Sequence, residues 1–269
     1  MTPALFIALT GLGAVIGVLA GLLGVGGGMM MVPFMVVALQ SAGFPPETLI
    51  KIAIATSLST ILFTSVSSVR AHHRRGGVLW RVVAGLSPGI VVGTLLTTQF
   101  VHRADSRWLT MGFALFMSWS ALRMLRPAPK ATVDQQATLP GPTGLFGAGA
   151  LIGAASAVLG AGGGFLTIPF LSRRGVKMQQ AIGSSAAAGF PIAAGGALGY
   201  AIAQPGQDVP GTMLGYIWVP ALLAISLASV STAPIGAALA HRLPVATLRR
   251  IFALLLLVLA GYMMWRAFR

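Results

Sequence analysis

The 269-residue sequence predicts an all-α polytopic membrane protein made of two inverted-topology repeats. Each repeat is a glycine-broken (re-entrant or half) helix pair plus about three spanning helices. Three observations carry this prediction. The chain is 56% hydrophobic and 8% charged, with a mean hydropathy of +0.86, whereas soluble domains carry roughly 25% charged residues. The stretch "GLLGVGGGMMMVPFM" from Gly21 returns as "AVLGAGGGFLTIPFL" from Ala157. The 18 Lys and Arg residues cluster in short connectors between apolar runs, the distribution by which the positive-inside rule sets orientation.

The first apolar run, 4–23, carries Gly13, Gly17 and Gly21 at every fourth position, a spacing that lets helices approach closely in lipid. It lacks the basic start and small-residue cleavage site of a signal peptide and reads as mature membrane sequence. The run 29–42 follows a glycine triplet. The runs 47–69, 78–101 and 108–125 then approach or exceed the roughly 20 residues that a spanning helix needs. The polar stretch "RPAPKATVDQQATLPGP" divides the chain into a first membrane repeat (1–126), a connector (127–142) and a second membrane repeat (143–269).

The second repeat reads 143–160, 165–171, 178–203, 212–240 and 249–265. Gly149, Gly153 and Ala157 match Gly13, Gly17 and Gly21, "AIGSSAA" from Ala181 matches "AIATSLS" from Ala53, and His241-Arg242 matches His102-Arg103. Self-similarity on this scale marks an internal duplication. The run 165–171 rises only about 10 Å as a helix against a hydrocarbon core of about 30 Å. It is therefore read as a half-helix returning from a glycine break, or else as an unusually short crossing.

With the segments alternating sides and "RAHHRRGGVLWR" placed in the cytoplasm, thirteen basic residues fall inside: Arg70, Arg74, Arg75, Arg81, Arg123, Arg126, Lys130, Arg173, Arg174, Lys177, Arg242, Arg249 and Arg250. Five fall outside: Lys51, Arg103, Arg107, Arg266 and Arg269. Both termini are then outside. The counterpart of the basic loop 70–81 is "QPGQDVPG", which has no basic residue and falls outside, so the halves are upside down relative to each other. Transporters built this way bind substrate near the midplane, at the repeat interface.

Non-helical backbone at membrane depth needs cover from protein or a water-filled cavity. Gly26, Gly27 and Gly28 in one half, and Gly162, Gly163 and Gly164 in the other, supply such backbone without side-chain clash. The half-helix after each triplet turns free N–H groups and its positive dipole end toward the break, which suits an anion. The hydroxyls of Thr56 and Ser57, and of Ser184 and Ser185, would flank the converging ends. Close packing alone would also use glycines, and a Ser or Thr hydroxyl often bonds back to its own helix.

The repeated "LGVGGGMMMVPF" and "LGAGGGFLTIPF", each followed by an Ala-x-x-Ser/Thr-Ser helix start, resemble the sulfite exporter TauE/SafE family, also called the toluene sulfonate uptake permeases. That resemblance implies a secondary transporter of small sulfur-containing anions, such as sulfite or organosulfonates, in a bacterial inner membrane. The family includes exporters and importers. Its implied partners are the anion and the lipid bilayer; a homo-oligomer stays open. The expected site residues are the six triplet glycines and the four hydroxyls, with no catalytic residue, cofactor or metal.

Other classes fit poorly. The net charge of +14 would suggest nucleic acid in a soluble protein, but here it follows topology and disfavours cationic cargo. Cysteine is absent, so disulfides and thiolate chemistry are excluded. The acids Glu47, Asp105, Asp134 and Asp208 all lie off the span centres, against the buried carboxylates of proton and cation pathways. "GVGGG" lacks the full dinucleotide spacing. A serine nucleophile in "GSSA" lacks a base at the same depth. His72, His73, His102 and His241 are expected to be wet interfacial groups, and the five tryptophans interface anchors or packing. A potential negative inside drives an anion outward by about 2.3 kcal/mol per charge per 100 mV, so export needs no coupled ion.

Overall fold

The computed structural model describes residues 3–23, 27–125, 138–206, 208–239 and 245–268. Among these the chain forms ten helices: α1 (Pro3–Leu23), α2 (Gly28–Ser41), α3 (Pro46–His73), α4 (Trp80–Val101), α5 (Ser106–Leu125), α6 (Pro142–Leu159), α7 (Gly164–Ser172), α8 (Met178–Ile202), α9 (Val219–Leu239) and α10 (Val245–Ala267). Seven of them, α1, α3, α4, α6, α8, α9 and α10, are long and apolar enough to cross a membrane. Residues 127–137 of the connector, with Asp134 among them, lie outside the described residues, as do Arg126, Gly26 and the pair His241-Arg242.

The helix order follows the apolar runs closely, with one difference. The run 212–240 is not a single helix. It opens with a two-residue hairpin, β1 (Met213–Leu214) and β2 (Ile217–Trp218), before α9 begins. Gly211 (φ 93°) and Gly215 (φ 57°) turn the chain through backbone that side chains resist. Hydropathy alone could not register a turn made by two glycines among apolar neighbours.

The centre is α3 against α8. In their most apolar stretches 78% and 67% of residues are buried, whereas the other spans reach 33–44%. They run antiparallel, since Gly196 meets Leu58 near one end and Gly183 approaches the His72 side chain near the other. Around them α1 packs on α9, α6 on α4, and α5 on α10, while α4 also touches α8 and α9 touches α3. Exchanging α1–α5 for α6–α10 maps each of these pairs onto another in the set or onto itself.

The fourfold-spaced glycines explain the two tightest seams. A methyl on Gly13 would stand 2.6 Å from the Ile225 carbonyl oxygen, and one on Gly93 would stand 2.8 Å from the Ala150 carbonyl carbon. Backbones approach this closely only where no side chain intervenes, and dispersion then holds the helices together in lipid. Large apolar side chains such as Ile7, Phe100, Leu151, Leu227 and Val258 are exposed on the periphery, where a hydrocarbon solvent suits them.

Candidate functional site

Each half carries a break with the same backbone solution. At the first, α1 ends at Leu23 and α2 starts at Gly28 behind Gly27, whose φ of 65° is left-handed. A side chain there would cost about 1–2 kcal/mol. The Gly27 carbonyl accepts from the N–H groups of Met30 and Met31, both at 3.2 Å. At the second, Gly163 has φ 75° and its carbonyl accepts from Leu166 at 3.0 Å and Thr167 at 2.8 Å. No side chain caps either helix. The N–H groups of Gly28 and Met29, and of Gly164 and Phe165, therefore have no acceptor among the described residues, and they carry the positive ends of two dipoles.

The two breaks touch. Ser57 Oγ, fully buried on α3, lies 2.8 Å from the carbonyl oxygen of Gly160 and 3.3 Å from that of Gly28. The Gly28 Cα packs so closely on the Gly160 carbonyl that a methyl would overlap it. Of the residues expected from sequence, the structure thus brings Gly28 and Ser57 into one contact, with Gly27, Gly163 and Gly164 shaping the flanking turns. Gly160 was not among them. It caps α6 with φ 58°. The signal was the first glycine of "LGAGGG", in register with that of "LGVGGG".

Thr56 and Ser184 do matching work. The Thr56 hydroxyl oxygen accepts from the Trp218 N–H at 3.0 Å, just ahead of α9, and that of Ser184 accepts from the Leu79 N–H at 2.9 Å, just ahead of α4. Each hydroxyl thereby fixes the start of a helix from the other half. Their own hydroxyl hydrogens have no acceptor among the described residues. Ser185 donates to the Ile182 carbonyl at 2.9 Å, the self-bonding expected of many helical serines.

Around the second break lie buried hydroxyls that composition did not single out. Ser156 and Thr167 are 1% and 0% exposed, and neither oxygen has a hydrogen-bond partner among the described residues. Thr167 binds Gly163 through its backbone, and the Ser156 Oγ stands 3.5 Å from where a Gly163 methyl would sit. Gly162 helps line a cavity of about 10 Å³ between α3 and α8, with Thr64, Ser65 and Ser68 on its wall. Ser68 is also buried without a partner. That volume is about one water. Buried polar groups normally find partners, and among the described residues two hydroxyls beside this break and a third on the wall of the adjoining cavity have none.

His72 departs from the wet interfacial reading: it is 4% exposed, with Nε2 3.1 Å from the Gly21 carbonyl at the end of α1. Among the described residues no three His, Asp or Glu side chains are grouped to hold a metal ion.

The family model described as Sulfite exporter TauE/SafE matches residues 9–263. A probable membrane transporter protein of Haemophilus influenzae is 37% identical over 249 residues, covering 92% of this chain and 94% of its own. One from Methanocaldococcus jannaschii is 24% identical over 94% of this chain and 92% of its own. A probable inner membrane transporter protein of Comamonas testosteroni is 33% identical over 97 residues, 36% of this chain and 38% of its own. No solved structure matches.

Proposed function

The chain belongs to the sulfite exporter TauE/SafE family and is a multi-pass membrane transporter, and from that premise we propose that it exports small sulfur-containing anions, such as sulfite or organosulfonates, across the inner membrane. The anion site lies at the midplane between two inverted repeats. It is built from the triplets Gly26–Gly28 and Gly162–Gly164 with Thr56, Ser57, Ser184 and Ser185.

The observation that carries this reading is the contact of the two breaks through Ser57, Gly28 and Gly160. Two uncapped helix starts lie beside that contact, with hydroxyls around it that are unpartnered among the described residues, and such a set offers an anion N–H and O–H donors with no opposing carboxylate among those residues. Inversion is supported by the packing: α3 and its counterpart α8 run antiparallel, and the pairs α1 with α9 and α6 with α4 exchange under the same operation. Export follows from energetics, since a membrane potential of about 100 mV, negative inside, contributes about 2.3 kcal/mol to the exit of each charge.

The test is efflux of labelled sulfite from proteoliposomes under an imposed potassium diffusion potential, with sulfoacetate, sulfate, thiosulfate and acetate as competitors. Saturable, potential-driven efflux blocked by sulfite and sulfonates supports the reading. Selective transport of sulfate, thiosulfate or a carboxylate replaces the substrate, and uptake that requires a proton gradient replaces the direction.

A further inference from the structure

A second cavity, of about 240 Å³, opens where α3 ends and α8 begins. Arg75 and Lys177 line it together with Gln179, Gln180 and His72, and the Gly76–Gly77 turn forms its floor. Among the described residues Arg75, just past the end of α3, donates to the Ala71 carbonyl of that helix at 3.5 Å, and Lys177 makes no side-chain hydrogen bond or ion pair. The first turn of α8 adds an uncapped helix start behind Lys177. No carboxylate is among the described residues of its wall. Glu47 sits in the opening turn of α3 and Asp208 follows α8, each at the far end of its helix, and Asp105 lies beyond α4 at that same far end, near Glu47. Roughly 10–15 Å³ of such volume holds one water, so this cavity takes a small oxyanion with hydration to spare.

Its position matters as much as its charge. Along α3 the wall passes from His72 in this cavity to Ser68, Ser65, Thr64 and Ile61 in the one-water cavity. Along α8 it passes from Ile182 to Ala186 and Gly189. The two cavities are thus in series on the α3–α8 seam, with buried His72 at the junction and Gly162 at the inner end.

We propose that the 240 Å³ cavity is a separate loading site for the transported oxyanion, which binds between Arg75 and Lys177 before entering the seam toward the glycine breaks. This rests on the anion-transport reading above. The ligand is a small sulfonate- or sulfite-like group with exposed oxygens; an anionic lipid headgroup shares that chemistry and is separated by the test.

The natural chain has no cysteine, so Gln180→Cys places a single thiol in the cavity, with Gln179→Cys as a second position should the first misfold. Its labelling by a sulfonate-bearing methanethiosulfonate is compared with that by a trimethylammonium analogue, in detergent, at fixed ionic strength. Relative to Gln204→Cys at the far end, the sulfonate reagent should be favoured about tenfold. Arg75→Gln with Lys177→Gln should erase that preference, and inorganic sulfate should protect the thiol where chloride does not. A preference equal to the Gln204→Cys control, or no sulfate protection, overturns the proposal, as does protection by phosphatidylglycerol vesicles alone. Because labelling needs no transport, failure here with sulfite efflux intact removes only the loading site. Protection without any sulfur-anion flux removes the transport reading instead.

Discussion

Gly28→Ala is the sharpest test of whether the breaks are a built contact. Gly28 is helical, so alanine there meets no backbone strain and should gain helix propensity. Space decides against it: the methyl overlaps the Gly160 carbonyl oxygen and stands 2.8 Å from Ser57 Oγ and 2.9 Å from Ile61 Cδ1, inside the ordinary contact range of 3.4–4 Å. Two of those three neighbours are the site itself, and one is backbone from the other half. Overpacking of this kind costs about 1–3 kcal/mol, or roughly 2–12 °C in melting temperature for a chain of this size. Gly11→Ala in α1 is the control, because nothing lies within 4 Å of its added methyl; it should stabilise by up to about 1 kcal/mol. Thermal unfolding in detergent and sulfite efflux per folded molecule are measured on both variants. Gly28→Ala should melt lower and lose transport, while Gly11→Ala melts no lower and transports normally. A Gly28→Ala protein with the melting temperature and flux of wild type would refute the contact.

Ser57→Ala removes the hydroxyl donor of the Gly160 carbonyl, at 2.8 Å, and its longer contact with the Gly28 carbonyl; it should cost about 1–3 kcal/mol and raise the KM for sulfite in proteoliposomes. Thr56→Val strands the buried backbone N–H of Trp218 and Ser184→Ala the half-buried one of Leu79; each should lower the unfolding midpoint, the first by about 1–3 kcal/mol and the second by less, with Thr56→Ser restoring the first. Gly93→Ala drives a methyl into Ala150 on the α4–α6 seam, away from the breaks; stability should fall while flux per folded molecule holds.

Helix order and the matched halves were legible because they depend on local quantities, the length of apolar runs and the repetition of motifs. The breaks were legible for the same reason: glycine adopts the φ of 65° and 75° at Gly27 and Gly163 without the strain that a side chain would bring. The roles within the site were not. Thr56 and Ser184 stood out as repeated hydroxyls, yet that each caps a helix more than a hundred residues away depends on tertiary placement. Gly160 opens the repeated motif but was not among the expected residues, because only the tertiary placement sets its carbonyl against Gly28 and Ser57. Ser156 and Thr167 carry no repeat signal, since their counterparts are Ala20 and Met31. His72 reads as interfacial from its arginine neighbours, and only the fold of α1 beside α3 buries it.

The most direct test of the midplane site is to locate the anion. Selenite has the shape and charge of sulfite with a heavier centre, and its anomalous scattering in crystals of the protein marks its position. A selenium peak is expected between the breaks, with oxygens about 3 Å from the Gly28 or Gly164 N–H and from a hydroxyl of Ser57, Thr56 or Ser184. A transport-active protein saturated with selenite that shows no peak between Gly28 and Gly164 would contradict it.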